Sequence, residues 1–244
     1  MDWTKAKNIL IAALLLTNLL LLGNMLYDNA NVQAKEKLFI ENTLAVLEAR
    51  NITIETPLPK GQPRMPVLSV EYDNDDAAVI QEQIANQQAL PKSQWIEADI
   101  RTMAEKLLEA CGLLTENVRY DGFQMKNGSF ILTYSDVIKG IAIEDSYMTC
   151  VVKDGKVESI NRLWLRPVDF GKTKKQVIPL AQALISFMSD KTGSEKITIN
   201  KIELVYWLDT GSVGLETPIS DTAFPAWKIS FNNGQVAHIN AFEQ

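Results

Sequence analysis

Residues 120–166 read YDGFQMKNGSFILTYSDVIKGIAIEDSYMTCVVKDGKVESINRLWLR, and this stretch decides the fold class. Apolar and polar side chains alternate along it with period two, the mark of strands that bury one face. Asn127-Gly128 and Asp154-Gly155 punctuate the alternation. Such pairs predict two-residue hairpin turns, because both central residues must take positive φ. The pattern predicts strands over 120–125, 129–136, 139–143, 145–153 and 156–166, an antiparallel meander.

Outward from the meander the period changes to 3.6. Residues 95–112 carry Ile100, Met103, Ala104, Leu107, Leu108 and Cys111 on one helical face, with Gly112 placed as the C-terminal cap. Residues 172–191 predict a second amphipathic helix, buried through Val177, Leu180, Ala181, Leu184, Ile185 and Met188, with Lys172, Lys174 and Lys175 at its solvated start. Strands follow over 197–208, 222–231 and 235–242, the last two joined at Asn233-Gly234. The chain thus predicts an α+β fold of two helix-plus-antiparallel-sheet modules, residues 95–170 and 171–244.

The first third is built differently. Residues 8–27 hold no charged side chain, and Leu14, Leu15, Leu16, Leu19, Leu20, Leu21 and Leu22 fill much of the run. As a helix, twenty residues span about 30 Å, the hydrocarbon thickness of a bilayer. Lys5 and Lys7 precede the run and Asp28 is the first charge after it, which predicts a transmembrane helix with residues 1–7 in the cytoplasm and the rest outside. A cleaved signal peptide is the competing reading. Bulky Met25, Leu26 and Tyr27 follow the apolar core, and the small residues of Val32-Gln33-Ala34 stand too far on, which favours a retained anchor.

Residues 28–94 then predict a stalk helix over 32–50 and a connecting region. That region holds a short strand over 51–55, an extended proline-rich segment over 57–66, a strand over 67–72 and irregular chain to residue 94.

The composition excludes several function classes. A net charge of −6 argues against nucleic acid as a partner. One histidine, His238, lies in a predicted strand outside any catalytic motif, where a surface role is the simpler reading. Cys111 and Cys150 supply one possible bridge or two buried thiols, and no metal-ligand spacing. The Asp73-Asn74-Asp75-Asp76 cluster lacks the glycine and distal glutamate of a calcium loop and reads as a solvated turn. No phosphate-binding glycine loop is present, so neither a cofactor nor an enzyme activity is expected. Tyr206, Trp207 and Trp164 lie in predicted strands and Trp227 alternates with Ile229 and Phe231, which favours core positions over a binding surface.

The apolar run carries one unusual feature. Thr17 and Asn18 fall at its midpoint, and Asn24 lies seven residues beyond Thr17 on the same face. Polar groups there gain by hydrogen bonding to another helix, typically about 1 kcal/mol, although a single span also tolerates one amide without a partner. These three residues are the candidate interaction site.

The opening Met1-Asp2-Trp3-Thr4-Lys5-Ala6-Lys7, the central Lys139-Gly140-Ile141-Ala142-Ile143-Glu144-Asp145 and Asp154-Gly155-Lys156-Val157, and the closing Ala226-Trp227-Lys228-Ile229, Gly234-Gln235-Val236 and Ile239-Asn240-Ala241-Phe242 together resemble the YycI (WalI) family. Residues 58–94 carry no part of this resemblance. It implies a membrane-anchored, non-catalytic regulator of the WalK/YycG sensor histidine kinase, acting with a YycH-like protein in cell-wall signalling, in part through transmembrane helices. A different class, an anchored module that captures a peptide or wall fragment, fits the same architecture.

Overall fold

The structure is a computed structural model describing residues 3–73, 77–191, 195–208, 220–232 and 234–242; the side chains of residues 3–6, 8–10, 12–13, 26, 28–33, 94 and 220–221 lie outside the description. The chain forms two compact units, residues 1–53 with 180–198, and residues 54–179 with 199–244.

The first unit is dominated by helix α1, Trp3–Ala49, which runs without a break through the uncharged residues 8–27 and the expected stalk. Leu14, Leu15, Leu16 and Leu19 to Leu22 are exposed along it. Among the described residues no helix is long and apolar enough to cross a membrane; residues 8–10, 12–13 and 26 of the uncharged run are outside that set. At its far end Leu47 and Thr43 are buried, the Thr43 hydroxyl donating to the Phe39 carbonyl at 2.8 Å. Strand β1, Ile52–Ile54, follows after Asn51, whose φ is +61°. The Ile197 amide donates to the Asn51 carbonyl at 2.9 Å, and Thr53 and Thr198 hydroxyls meet at 3.4 Å. The other helix of this unit, Leu180–Ser189, buries Leu180, Ala181, Ala183, Leu184 and Phe187 and packs on α1.

The second unit adds β2 (Arg64–Met65), β3 (Leu68–Tyr72), α2 (Ala77–Asn86) and α3 (Glu97–Ala110) before the meander. Helix α2 corrects the expectation of irregular chain up to residue 94. Its one buried residue is Ile80, with Ile84 packed beside it, too short an apolar face to stand out among Gln and Asn. Gln87, just beyond α2, binds the Val157 main chain as a strand would: its carboxamide donates to the Val157 carbonyl and accepts from the Val157 amide, both at 2.7 Å.

Helix α3 ends as its sequence predicts. Gly112 has φ +73°, its amide reaches the Glu109 carbonyl at 2.9 Å, and the Leu113 amide reaches the Leu108 carbonyl at 2.8 Å. This paired closure satisfies carbonyls that the helix leaves orphaned.

The meander comprises β4 (Val118–Lys126), β5 (Ser129–Ile138), β6 (Ile141–Lys153), β7 (Lys156–Leu163) and β8 (Leu165–Phe170). Positive φ at both Asn127-Gly128 and Asp154-Gly155 bears out the two hairpin turns. Lys139-Gly140 is a third such turn, with φ +51° and +83°, so the strand expected from residue 139 begins at Ile141 and absorbs the next one. Under the sheet, Ile100, Ala104, Leu107 and Leu108 of α3 pack against Leu132, Tyr134, Met148, Cys150, Val152 and Val157. Burying several such side chains at about 1.5–3 kcal/mol each is what holds α3 in place.

The chain continues through β9 (Lys175–Gln176), α4 (the Leu180–Ser189 helix), β10 (Ile197–Trp207), β11 (Ser220–Phe231) and β12 (Gln235–Asn240). The helix expected from residue 172 is therefore shorter. Pro179 drives the residue before it to extended geometry. Upstream of it Lys175 and Gln176 pair with β2, and the Ile178 amide donates to the Ala241 carbonyl at 2.8 Å. The hairpin turn expected at Asn233-Gly234 includes Asn233, which lies outside the described residues; Phe231 pairs with Gln235 on either side of it.

Strand order is β4-β5-β6-β10-β11-β3-β8, with β7 on β6 and β12 on β11. The strands of the two expected modules thus join a single sheet. Antiparallel pairing dominates, while β6 and β10 meet in parallel over two residues, Val205 opposite Ala142 and Tyr206 opposite Ile143.

Candidate functional site

Thr17, Asn18 and Asn24 all lie exposed on α1, so the sevenfold spacing of Thr17 and Asn24 is realised on one continuous helix. A second concentration of chemistry lies in the other unit, where the β5–β6 ladder breaks. Ser135 pairs with Tyr147 and Val137 with Ala142, so residues 143–146 of β6 stand opposite the single residue Asp136 of β5. Extra residues on one strand bend it and re-aim its side chains. Asp145 takes the left-handed conformation, φ +63°, which aspartate tolerates better than most residues.

Glu144 is the hub of what the bulge exposes. Its carboxylate receives both contacts of the Lys228 ammonium, at 2.7 and 2.9 Å. His238 Nε2 stands 3.5 Å from Glu144 Oε1, an ion pair only when the imidazole is protonated and too long for a hydrogen bond. Lys228 and His238 are direct partners in the β11–β12 ladder, which is why both reach one carboxylate. The Trp207 ring stacks on the imidazole with centroids 5.1 Å apart and planes 8° from parallel. Burial pushes the Glu144 carboxyl up, yet His238 and Lys228 beside it draw it below its ordinary value. Asp145 shows the reverse: burial, then the neighbouring Glu144 charge, raise it.

Around Glu144 the sheet forms a cleft of about 350 Å³ lined by Arg119, Asp121, Ser135, Glu144, Asp145, Lys201, Glu203 and Lys228, among others. Arg119 pairs with Asp121 at 2.8 Å and Lys201 with Glu203 at 2.8 Å. Ser146, buried at 2%, accepts a hydrogen bond from the Leu165 amide at 3.0 Å and fixes the end of the bulge.

His238 is thus not the surface residue its strand position suggested; its side chain is 19% exposed and faces an acid. Glu144, Lys228 and Trp207 are missed by sequence reasoning because 84 residues separate Glu144 from Lys228 and only the sheet pairing joins them. Trp207, expected in the core, is instead only half-buried and stacks on His238. Among the described residues no cluster of three or more His, Cys, Asp or Glu is arranged to hold a metal ion. Cys111 and Cys150 are free thiols, Cys150 fully buried. Asp73 pairs with Arg162 at 2.9 Å, while Asn74, Asp75 and Asp76 lie outside the described residues. Trp164, Tyr206 and Trp227 occupy the core as expected, the Trp227 indole donating to the Ile178 carbonyl at 3.1 Å.

Among solved structures the chain is similar to the C-terminal domain of Bacillus megaterium YpeB, at 14% identity and a TM-score of 0.37. The match covers 64% of this chain and spans 64% of that structure's length. The comparison with curated proteins found no match. The model of the YycI family, described as YycI protein, matches residues 30–242, including residues 58–94 where the sequence motifs gave no likeness. With most of its length inside that match, the chain belongs to the YycI family, a regulatory family associated with the WalK/YycG two-component system.

Proposed function

We propose that this protein is a membrane-anchored, non-catalytic regulator of the WalK/YycG sensor histidine kinase and that it acts with a YycH-type partner. The observation that carries the reading is the family match over residues 30–242. The uncharged residues 8–27 within the unbroken helix α1 support an anchor, with residues 1–7 in the cytoplasm and the folded units outside. A regulator of this kind must favour one kinase conformation by differential contact, since equal affinity for both states shifts nothing.

Thr17, Asn18 and Asn24 are the contact residues in this reading, with Asn18 giving its carboxamide to a partner helix within the bilayer. A hydrogen bond there contributes about 1 kcal/mol, or about fivefold in association. Asn18→Leu at unchanged expression therefore lowers co-purification of the kinase by about that factor. An unaltered yield removes Asn18 from the interface.

A further inference from the structure

The turns at Asn127-Gly128 and Asp154-Gly155 lie side by side, because β5 begins where β6 ends, Phe130 opposite Val152. The segment after α2 meets them there, the Leu90 amide donating to the Gly155 carbonyl at 2.7 Å. This end of the sheet gathers apolar side chains that the core only partly covers. Phe130 stacks on Phe123 with centroids 5.4 Å apart, and it meets the Trp95 ring edge-on at 6.3 Å. Met125, the register partner of Phe130, is 72% exposed, and Ile96, next to Trp95, is 60% exposed. Exposed apolar residues standing singly are ordinary, whereas a contiguous group of them marks an interaction surface.

Lysines surround the group. Lys126 follows Met125, Lys153 and Lys156 face each other across the second turn, and the Lys92 ammonium stands 5.8 Å from the Trp95 ring centre. All four are exposed. The acids beside them are Asp154, in the turn, and Glu158, 4.0 Å from Lys153. Glu97 reaches back along β4 instead, where it accepts from the Tyr120 hydroxyl at 2.8 Å. Among the described residues Lys92, Lys126 and Lys156 pair with no acid. In a chain of net charge −6, this one end of the sheet is basic.

We propose that this end of the second unit docks on the surface of an anionic phospholipid bilayer, with Met125 and Ile96 entering the boundary between headgroups and acyl chains. Trp95 suits that boundary, its indole N–H already donating to the Leu90 carbonyl at 3.0 Å while the ring stays apolar. The lysine stems lie along apolar surface and their ammonium groups reach lipid phosphates. Each lysine at an anionic surface contributes about fivefold in partitioning. The acidic remainder of the chain is repelled by the same surface, which confines contact to this end. Lysine is depleted where proteins meet proteins, so lipid fits this surface better than an acidic protein does. The nearness of a bilayer rests on the anchored reading of residues 8–27; the affinity for anionic lipid does not. A unit that docks or stands free according to lipid charge has the two states that a regulator requires.

The test places the full chain in lipid nanodiscs carrying a spin-labelled lipid and reads the methionine methyl groups by NMR. Discs rich in phosphatidylglycerol broaden Met125, discs of phosphatidylcholine alone leave it sharp, and about 0.5 M salt reverses the broadening. Buried Met65 and Met148 stay sharp throughout. Lys126→Glu, Lys153→Glu and Lys156→Glu together lower the docked-to-free ratio about a hundredfold. The same three charge reversals at exposed Lys60, Lys172 and Lys174 leave it unchanged. Met25, inside the uncharged run, reports the anchor separately. Met25 broadened with Met125 sharp overturns the docking alone, and the reverse overturns the anchor alone. Broadening of Met125 that is equal in both lipids or survives the reversals at 126, 153 and 156 overturns the proposal. So does broadening that grows with the number of chains per disc, which gives the surface to a second copy.

Discussion

Asp136 shows most directly what the bulge demands of a single residue. Its carboxyl is 1% exposed, neither oxygen has a hydrogen-bond partner, and burial pushes it up to about 6 from an ordinary 3.8. A carboxyl raised in the folded state holds its proton longer there than in the unfolded chain. Its contribution is intact below about pH 4, falls as pH rises towards 6, and stays diminished above. Asp136→Asn, a neutral group of the same shape, should therefore raise stability at pH 7 by about 1–2 kcal/mol and flatten the dependence between pH 4 and 6. Urea unfolding followed by tryptophan fluorescence at several pH values measures both; equal stability at pH 7 contradicts the assignment. Cys150 makes a parallel case: burial pushes its thiol up to about 12, so iodoacetamide at pH 8 should label Cys111 and spare Cys150 until the chain unfolds.

At the scale of elements, two glycines separate backbone freedom from crowding. Gly112 closes α3 at φ +73° with open space where a side chain would stand, so Gly112→Ala costs only the left-handed penalty of about 1 kcal/mol. Gly155, at φ +74°, has the Leu90 main chain and the Trp95 indole where its Cβ would go. The Leu90 amide donates to the Gly155 carbonyl at 2.7 Å, and the Trp95 indole donates to the Leu90 carbonyl at 3.0 Å. Gly155→Ala should thus cost clearly more, about 3 kcal/mol, because a turn and the segment after α2 shift together. Thermal unfolding of the pair ranks them, and equal losses would deny the crowding. Helix α1 differs again: its length follows from a run without Pro and with Gly only at position 23, and its stability in water alone is marginal where no neighbour covers it.

For the molecule as a whole, the sheet and the proposed anchor make separable claims. In the second unit β6 meets β10 over a two-residue parallel contact, and Glu144 adds a link from β6 to β11 through Lys228. Glu144→Gln removes the charge from a half-buried pair and should speed hydrogen exchange at Ile143 and Tyr206 while leaving Leu132 and Cys150 in the α3-covered core unchanged. Uniform protection in the variant would show that the junction needs no ionic support. Exchanging residues 8–27 for an unrelated span asks where regulation resides. Loss of kinase control with the folded units intact is the expected result, and retained control would place recognition outside the membrane.

The local chemistry of this chain was legible from its residues alone. Alternation, the Asn127-Gly128 and Asp154-Gly155 turns, the cap at Gly112 and the core tryptophans are short-range matters, set by φ preferences and by the period of burial. The uncharged run of residues 8–27 and the α+β class follow from the same kind of pattern. What needed the tertiary structure was everything decided by pairing at a distance. The strands of both expected modules entered one sheet, Pro179 surrendered the start of a helix to β9, and Glu144 met Lys228 and His238 across a junction. Periodicity states which face of a strand is buried, but register and strand order depend on contacts that no window of sequence contains. The cleft exists only because that register slips between Ser135 and Val137.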